Sequence, residues 1–464
     1  MLNDVKISNE DWNFMTGDSD NQCEWVLGVS SAGHGGSICL LRDGNVIFFL
    51  KEERSSKIKR DCQVPFRCIK EIKKYTDEID LILFLNIEDS KQDLLLNQLD
   101  KENIVYYETM DPEGQNHEDG ICSYHHINHA SCGYHLSPFC EEDDGEEVLI
   151  VVMDGWGYVG EINNLFKDHE ILSDPDRINC YESVGNELSM GVRMYEHVSI
   201  FCATNNVTEW ELLYKEVSSD FTRNVLLEGK YGDMSSVEND YAMFINSKPR
   251  CENAEVHLGP TCSTPVLYES VTQLIGFDQE EVGKTMGMAP YGKPNEKIPP
   301  FLMDNEYLDT NNVVNANLLM NTNLYHELLE FDMDSDFQNR ADIAYAVQKA
   351  LEKKVILIVE KAMSLSDSKK IVLSGGTFHN IIINEILSSK YPDYQFFADP
   401  ICDDAGHSFG GAMFYWKSCG MRNKFNLQEI NPPNRPETMY LGPEYTPEEQ
   451  LTRIKKWFKK SVNK

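Results

Sequence analysis

The side chains best suited to chemistry in this sequence fall in one short stretch, from Tyr124 to Ala130. The stretch holds three of the 12 histidines, and His125 and His129 are four residues apart. On a helix this spacing places both imidazoles on one face, where they can hold a metal ion if a third ligand comes from elsewhere. A surface helix with polar histidines is the more common structure for such a pair. The glutamate of the zinc metalloprotease pattern is missing.

A third metal ligand and an anion-binding loop are both predicted in the last quarter of the chain. Asp404 opens a helix, and its carboxylate is a natural metal ligand, although capping that helix is the alternative role. A predicted strand at 371–373 is followed by Gly375, Gly376 and a helical run. A strand, two glycines and a helix N-terminus can bind an anion, because backbone N–H groups and the helix dipole face the ligand. Two glycines after a strand are a weak signal by themselves.

Composition indicates a soluble globular protein. No run approaches the roughly 18 apolar residues of a membrane helix, and the N-terminus lacks a signal-peptide pattern. We therefore expect a cytoplasmic protein without a membrane partner. The 13 cysteines contain no C-x-x-C pair and are best interpreted as reduced. The net charge of −34 repels polyanions, so a nucleic-acid substrate would require a local basic patch.

The elements that must position these side chains follow an α/β pattern that occurs twice. The first set has predicted strands at 25–29, 37–42, 45–50, 81–85 and 104–107, with a hairpin turn at Asp43-Gly44. The second set has a strand at 148–153, which ends at Asp154-Gly155, and another at about 158–166. Two sets of strand, turn and strand predict a duplicated, two-lobed α/β fold, as in the actin-like superfamily.

The predicted organisation of the chain has five parts. Residues 197–267 are polar and show little sustained periodicity, so they are predicted to be an insertion between the lobes. The full division is a polar N-terminal arm at 1–24, a first lobe with the histidine pair at 25–196, the insertion at 197–267, a second lobe with a glycine- and proline-rich nucleotide loop at 268–445, and a basic tail at 446–464.

Eight motifs, in order along about 25–445, resemble the O-carbamoyltransferases of nodulation-factor and antibiotic biosynthesis. They more distantly resemble the enzyme that makes threonylcarbamoyladenosine in tRNA. The motifs are the first strand with the His34 turn; Glu52-Glu53-Arg54 with Lys59 and Asp61; His125, His126, His129 and Ala130; Asp154-Gly155; Ser189-Met190-Gly191 with Tyr195; Gly283-Lys284, Met286-Gly287 and Ala289-Pro290-Tyr291-Gly292; Gly375-Gly376 with Asn380 and Asn384; and Asp404-Ala405-Gly406.

The resemblance implies an actin-like, ribonuclease-H-like fold with an ATP-derived ligand between its lobes. It implies that carbamoyl phosphate and ATP give carbamoyladenylate, whose carbamoyl group passes to a substrate hydroxyl. The residues it assigns are the metal ligands His125, His129 and Asp404, with iron(II) as the expected ion; the nucleotide or phosphate contacts Lys284, Gly375, Gly376 and Asn380; Asp154 and His34 at the transfer site, with His34 as candidate general base; and the further candidates Glu53, Arg54 and Tyr195.

The sequence departs from the family pattern at three places. Gly35 and Gly36 follow His34, where relatives carry an aspartate. About 70 residues separate the Tyr195 motif from segments that are adjacent in relatives. The chain also stops some 20 residues after 441–445, where relatives continue into the domain that forms carbamoyladenylate. We therefore expect a separate carbamoyladenylate-forming protein, or direct use of carbamoyl phosphate with ATP.

The predicted acceptor follows from the resemblance of this chain to family members that are short, acidic and lack the second domain. Such versions resemble those encoded by viruses, which would act in the host cytoplasm. The leading prediction is a 5-hydroxymethylpyrimidine such as 5-hydroxymethylcytosine, as nucleotide or in DNA, with 197–267 as the recognition segment. The alternatives are a small hydroxylated metabolite or sugar, a tRNA threonylcarbamoyl transferase-like enzyme, and a non-catalytic nucleotide-binding module.

Overall fold

The computed structural model describes residues 24–32, 35–61, 63–85, 87, 89–99, 104–110, 124–141, 145–161, 193–203, 210–219, 255–258, 263–298, 300–304, 312–314 and 336–417, with short pieces at 435–436, 442, 446–452 and 455. The strands β1 to β13 are Trp25–Ala32, Gly35–Arg42, Asn45–Lys51, Ile79–Leu85, Ile104–Met110, Val148–Glu161, Arg193–Ala203, Glu211–Ser219, Glu255–Leu258, Leu302–Asp304, Asn312–Val314, Lys370–Ser374 and Gln395–Ala398. The helices α1 to α9 are Glu52–Ser56, Phe66–Ile72, Asp89–Leu99, Tyr124–Leu136, Thr264–Leu274, Val282–Met288, Phe337–Leu365, Ile381–Lys390 and His407–Lys417.

The first sheet has the order β3-β2-β1-β4-β5. β1, β2 and β3 are antiparallel, whereas β4 is parallel to β1, and β5 is parallel to β4. The hairpin between β2 and β3 turns at Asp43 and Gly44, whose φ angles of 48° and 77° suit the tight turn predicted there. Alternate residues of β1 face opposite sides, so that Val26 packs on α9 and Leu27 packs on α2 and α3.

The second sheet repeats this topology. Its order is β13-β12-β6-β7-β8-β9. β6, β7 and β8 are antiparallel, and β12 and β13 run parallel to β6. These five strands correspond in order and direction to β1 to β5, and β9 is an added strand at the edge. The duplicated, actin-like two-lobed α/β fold predicted from the sequence is therefore confirmed.

Two helices lie between the sheets and against each other. α9 packs on β1, β2 and β4, whereas α4 packs on β6 and β12. Their crossing is close because Gly410 has no side chain, and a Cβ there would lie 1.9 Å from the carbonyl oxygen of Asn128. The outer face of the second sheet is covered by α5 and α7. Within the described residues, no helix is both long and apolar enough to cross a membrane.

Three segments differ from the sequence-based expectation. The strands predicted at 148–153 and 158–166 are, up to residue 161, one strand, β6, with irregular register near Met153 and Tyr158. The predicted loop at 283–292 is the helix α6 followed by a 3₁₀ turn at Ala289–Tyr291. The described parts of the predicted insertion at 197–267 are the later part of β7, strands β8 and β9 of the second sheet, and the start of α5, and its other residues lie outside the described ones.

Candidate metal centre

The histidine stretch forms α4, and its side chains meet residues at the start of α9. Asp404 lies in a 3₁₀ turn at Asp404–Gly406, and His407 is the first residue of α9. The donor atoms of His125, His129, Asp404 and His407 all lie within 4.8 Å of one another, and all four residues are buried. Nε2 of His129 is 3.5 Å from Oδ1 of Asp404, and Nε2 of His125 is 3.8 Å from the same oxygen. The structure thus brings the three predicted ligands together.

His407 was not predicted from the sequence as part of this cluster. Its ring centroid lies 4.4 Å from the ring centroids of both His125 and His129, at interplanar angles of 85° and 71°. A signal was nevertheless present, because Asp404 and His407 are three residues apart at the start of a predicted helix. Residues at that spacing share one helix face. We call these four residues, His125, His129, Asp404 and His407, the metal cluster.

Asp154 joins the metal cluster to the glycine loop. One carboxylate oxygen, Oδ2, lies 3.0 Å from Nε2 of His125 and 3.8 Å from Nε2 of His129. The other oxygen accepts a hydrogen bond from the backbone N–H of Gly376 at 3.0 Å. Gly375 has a φ of 92°, and a Cβ there would lie 2.4 Å from the carbonyl oxygen of Met153. Only glycine fits this approach, so the loop after β12 lies directly against β6.

The electrostatics of the metal cluster favour a bound cation. Burial alone would raise the pKa values of Asp154 and Asp404, but the neighbouring histidines hold them well below the usual range. Burial alone would lower the pKa of His129, whereas the two carboxylates raise it to about 10. Both ring nitrogens of His129 are buried and make no hydrogen bond to the described residues. Imidazole and carboxylate donors with an unsatisfied buried nitrogen fit a transition-metal ion.

Polar contacts hold the turn that carries Asp404. The hydroxyl of Ser37, on β2, donates to the carbonyl oxygen of Ala405 at 2.6 Å and lies 2.7 Å from the hydroxyl of Ser408. Lys51, at the end of β3, donates to both oxygens of Asp403 at 2.7 and 2.8 Å. These contacts fix the turn against the first sheet. Such outer contacts orient metal ligands in proteins.

The predicted nucleotide contacts Lys284 and Asn380 have other partners in the structure. Lys284 is half exposed, pairs with Glu281 and lies 5.4 Å from the ring centroid of Phe277. Asn380 caps α8, because its side chain accepts from the N–H of Ile383. The Asn380 amide also exchanges hydrogen bonds with Gln348 at 2.9 and 3.2 Å. These contacts give both side chains a structural role, and their contact with nucleotide stays a prediction.

The remaining candidates are placed as follows. Glu53 accepts from Lys59 at 3.0 Å and from the backbone N–H of Arg60 at 2.9 Å, and Arg54 is mostly exposed. Tyr195 is buried in β7. His34, the predicted general base, lies outside the described residues. The roles of these side chains remain predictions.

A buried ionic group beside the metal cluster was not predicted either. Glu196 on β7 accepts from the backbone N–H of His126 at 3.1 Å and pairs with the ammonium of Lys215 on β8. Nδ1 of His126 lies 2.7 Å from the hydroxyl of Ser199. All four side chains are fully buried. The charged residues of these strands resemble those of a polar, exposed insertion in the sequence. In the structure they lie in the interior, where they neutralise one another.

The fold and the cluster define an actin-like α/β protein with a candidate metal centre between its two sheets. The family described as carbamoyltransferase N-terminus matches residues 221–413. The chain is 23% identical to nodulation protein NolNO of Sinorhizobium fredii in an alignment of 436 positions that covers 89% of this chain and 49% of that protein. It is 26% identical to nodulation protein NolO of Bradyrhizobium diazoefficiens in an alignment of 199 positions that covers 41% of this chain and 34% of that protein. The resemblance to the O-carbamoyltransferase family is thereby confirmed.

These relatives are longer than this chain, which spans half of their length or less. Among solved structures, the chain is similar to full-length HypF in a phosphate- and nucleotide-bound form, with a TM-score of 0.43 and 12% identity. That similarity covers 85% of this chain and 56% of the HypF chain.

Proposed function

We propose that this chain transfers a carbamoyl group from carbamoyl phosphate, through carbamoyladenylate, to a substrate hydroxyl. The observation that carries the proposal is the position of Asp154, whose carboxylate contacts His125 of the metal cluster and the N–H of Gly376. Metal ions and preorganised N–H donors both stabilise charge that develops on carbonyl and phosphate oxygens, and this contact places the metal cluster beside the glycine loop. The resemblance to carbamoyltransferases supports the same reaction class.

In this proposal His125, His129 and Asp404 hold the metal ion, with iron(II) as the expected ion. Two imidazoles and a carboxylate are a set that this ion accepts. When bound, the ion supplies Lewis-acid polarisation of a phosphate or carbonyl oxygen. The carboxylate of Asp154 lies beside the same Nε2 edge of His125 and adds negative charge next to the ion, and the Ser37 and Lys51 contacts hold the turn that presents Asp404.

The ATP-derived ligand is proposed to place its phosphates toward Gly375 and Gly376. The hydroxyl of Thr377, the next residue, is buried and makes no hydrogen bond to the described residues. A buried hydroxyl without a partner is costly unless a ligand satisfies it. Thr377 therefore supports a polar ligand at this loop. The adenylate comes either from a separate protein or from this chain acting on carbamoyl phosphate and ATP.

The proposed acceptor is a 5-hydroxymethylpyrimidine, as nucleotide or within DNA. A polymer acceptor would need basic residues, and residues 197–267 contain five Lys or Arg against ten Asp or Glu. This balance favours the nucleotide over the polymer at that segment. A base in duplex DNA would additionally have to leave the stack.

The test is to incubate the pure chain with labelled carbamoyl phosphate, ATP and iron(II), and to offer hydroxymethylcytosine DNA, the free nucleotide and a panel of sugars. We expect label on a pyrimidine hydroxyl and none with His129→Ala, which should also lose its metal. Label on sugars alone would refute the acceptor but leave carbamoyl transfer standing. No label on any acceptor, even with carbamoyladenylate supplied, would refute the transfer itself.

A further inference from the structure

We propose that His407 is a fourth protein ligand of the metal ion in this centre. A six-coordinate ion would then keep two open positions instead of three. The inference rests on the proposed metal-dependent function and adds to it a ligand that the carbamoyltransferase resemblance does not assign.

The first support is the position of the His407 ring. It is fully buried and lies equally close, at 4.4 Å between centroids, to the rings of His125 and His129. Its donor atom belongs to the group whose members are all within 4.8 Å of one another. Two ligands of one ion lie at most about 4.4 Å apart, since metal–nitrogen and metal–oxygen bonds are roughly 2.0–2.2 Å long, so the four donor atoms need to close by only a few tenths of an ångström to share an ion.

The second support is the backbone that carries His407 and Asp404 together. The two residues are three positions apart across a 3₁₀ turn and the first residue of α9, so one rigid element presents both donors. Ser37 contacts Ala405 and Ser408, which flank Gly406 and His407. A segment clamped on both sides in this way can hold two ligands at fixed distances.

The third support is the polar environment of His407. A buried imidazole loses its hydration and is therefore stabilised by charged or polar neighbours. Further along α9, Phe409, Ala412 and Met413 provide the apolar packing against the first sheet. His407 faces the imidazoles of His125 and His129 near the carboxylate of Asp404. This is the environment expected of a metal ligand.

A fourth ligand changes what the centre accepts. Two open positions on a six-coordinate ion take one bidentate group, such as a phosphate oxygen together with a carbonyl oxygen. A zinc ion would have its tetrahedral shell closed by four protein ligands, as in structural zinc sites. The third imidazole also disfavours magnesium and calcium, which select oxygen ligands.

The experiment compares the wild-type chain with His407→Ala and His407→Gln after anaerobic loading with cobalt(II) or iron(II). X-ray absorption spectroscopy counts the imidazoles on the metal, and chelator competition measures its affinity. We expect three imidazoles in the wild type and two in each variant. Affinity should fall by at least about 10-fold, since loss even of an outer contact costs about 10–100-fold.

His135→Gln is the matched control. His135 is a buried histidine on α4, and its Nδ1 lies 2.9 Å from the carbonyl oxygen of Ser131, outside the metal cluster. This variant should keep three imidazoles and wild-type affinity.

Two imidazoles in the metal-loaded wild type would overturn the assignment of His407 while leaving the proposed function intact. This measurement does not depend on the folding of any variant. Unchanged affinity and imidazole number in folded His407→Gln would overturn it as well. A wild type that binds neither ion would refute the metal-dependent function together with this inference.

Discussion

Substituting Gly410 by alanine should separate the two helices that carry the metal cluster. An added Cβ would lie 1.9 Å from the carbonyl oxygen of Asn128 and 3.0 Å from the backbone nitrogen of Cys132. Ordinary contact begins at 3.4 Å, so α9 must move away from α4 by about 1.5 Å. Metal–ligand distances tolerate about 0.2 Å. The movement would therefore exceed the tolerance of the centre several-fold, and metal retention should be lost.

The same substitution should destabilise the fold. Overpacking in a well-packed interior costs about 1–3 kcal/mol, and a clash with backbone atoms belongs at the upper end of that range. Replacing glycine by alanine within a helix returns about 0.5–1 kcal/mol. The expected net loss in the free energy of unfolding is about 2 kcal/mol.

The assay measures metal per chain by mass spectrometry after anaerobic loading, and unfolding in urea by circular dichroism. Gly287→Ala is the control, because Gly287 is also helical and has no atom within 4 Å of an added Cβ. The control should keep its metal and be as stable as the wild type or slightly more stable. Full metal content and unchanged stability in Gly410→Ala would refute the close-approach argument. Equal losses of metal and stability in both variants would show that the effect is not specific to the helix crossing at Gly410.

Two further predictions concern neighbours of the metal cluster. Asp154→Asn should lower metal affinity about 10–100-fold, because it removes a negative charge that lies beside Nε2 of His125 and Nε2 of His129; unchanged affinity in chelator competition would contradict this. Lys215→Met should cost about 3–5 kcal/mol in urea unfolding, because it leaves the carboxylate of Glu196 buried without its ammonium partner. Adding Glu196→Gln should recover much of that loss, and a double variant no more stable than Lys215→Met would argue against a charge effect.

The duplicated fold could be predicted because its signals are local. The hairpin turn at Asp43-Gly44 and the apolar strands on either side specify β2 and β3 without knowledge of the rest of the chain. The apolar run before Asp154 and the strand before Gly375 are similarly clear. Two such sets in one chain indicate the duplicated α/β fold, which the structure confirms.

The segments that were not predicted depend on contacts between distant residues. β7 and β8 contain charged residues at fully buried positions, and only their pairing, such as Glu196 with Lys215, makes those positions tolerable. Similarly, His407 could be assigned to the cluster only once α9 was placed against α4. The helix at 282–288 was missed because its two glycines weaken helix propensity, while α7 packs against it.

The metal cluster also depends on how the two sheets are packed together. α4 lies on the second sheet and carries His125 and His129, whereas α9 lies on the first sheet and carries His407, three residues after Asp404. Each sheet therefore positions two of the four donors. Any shift of one sheet relative to the other changes the distances between those pairs of donors. Close packing at Gly410 is thus needed for the geometry of the centre as well as for the core, because both depend on the same helix crossing.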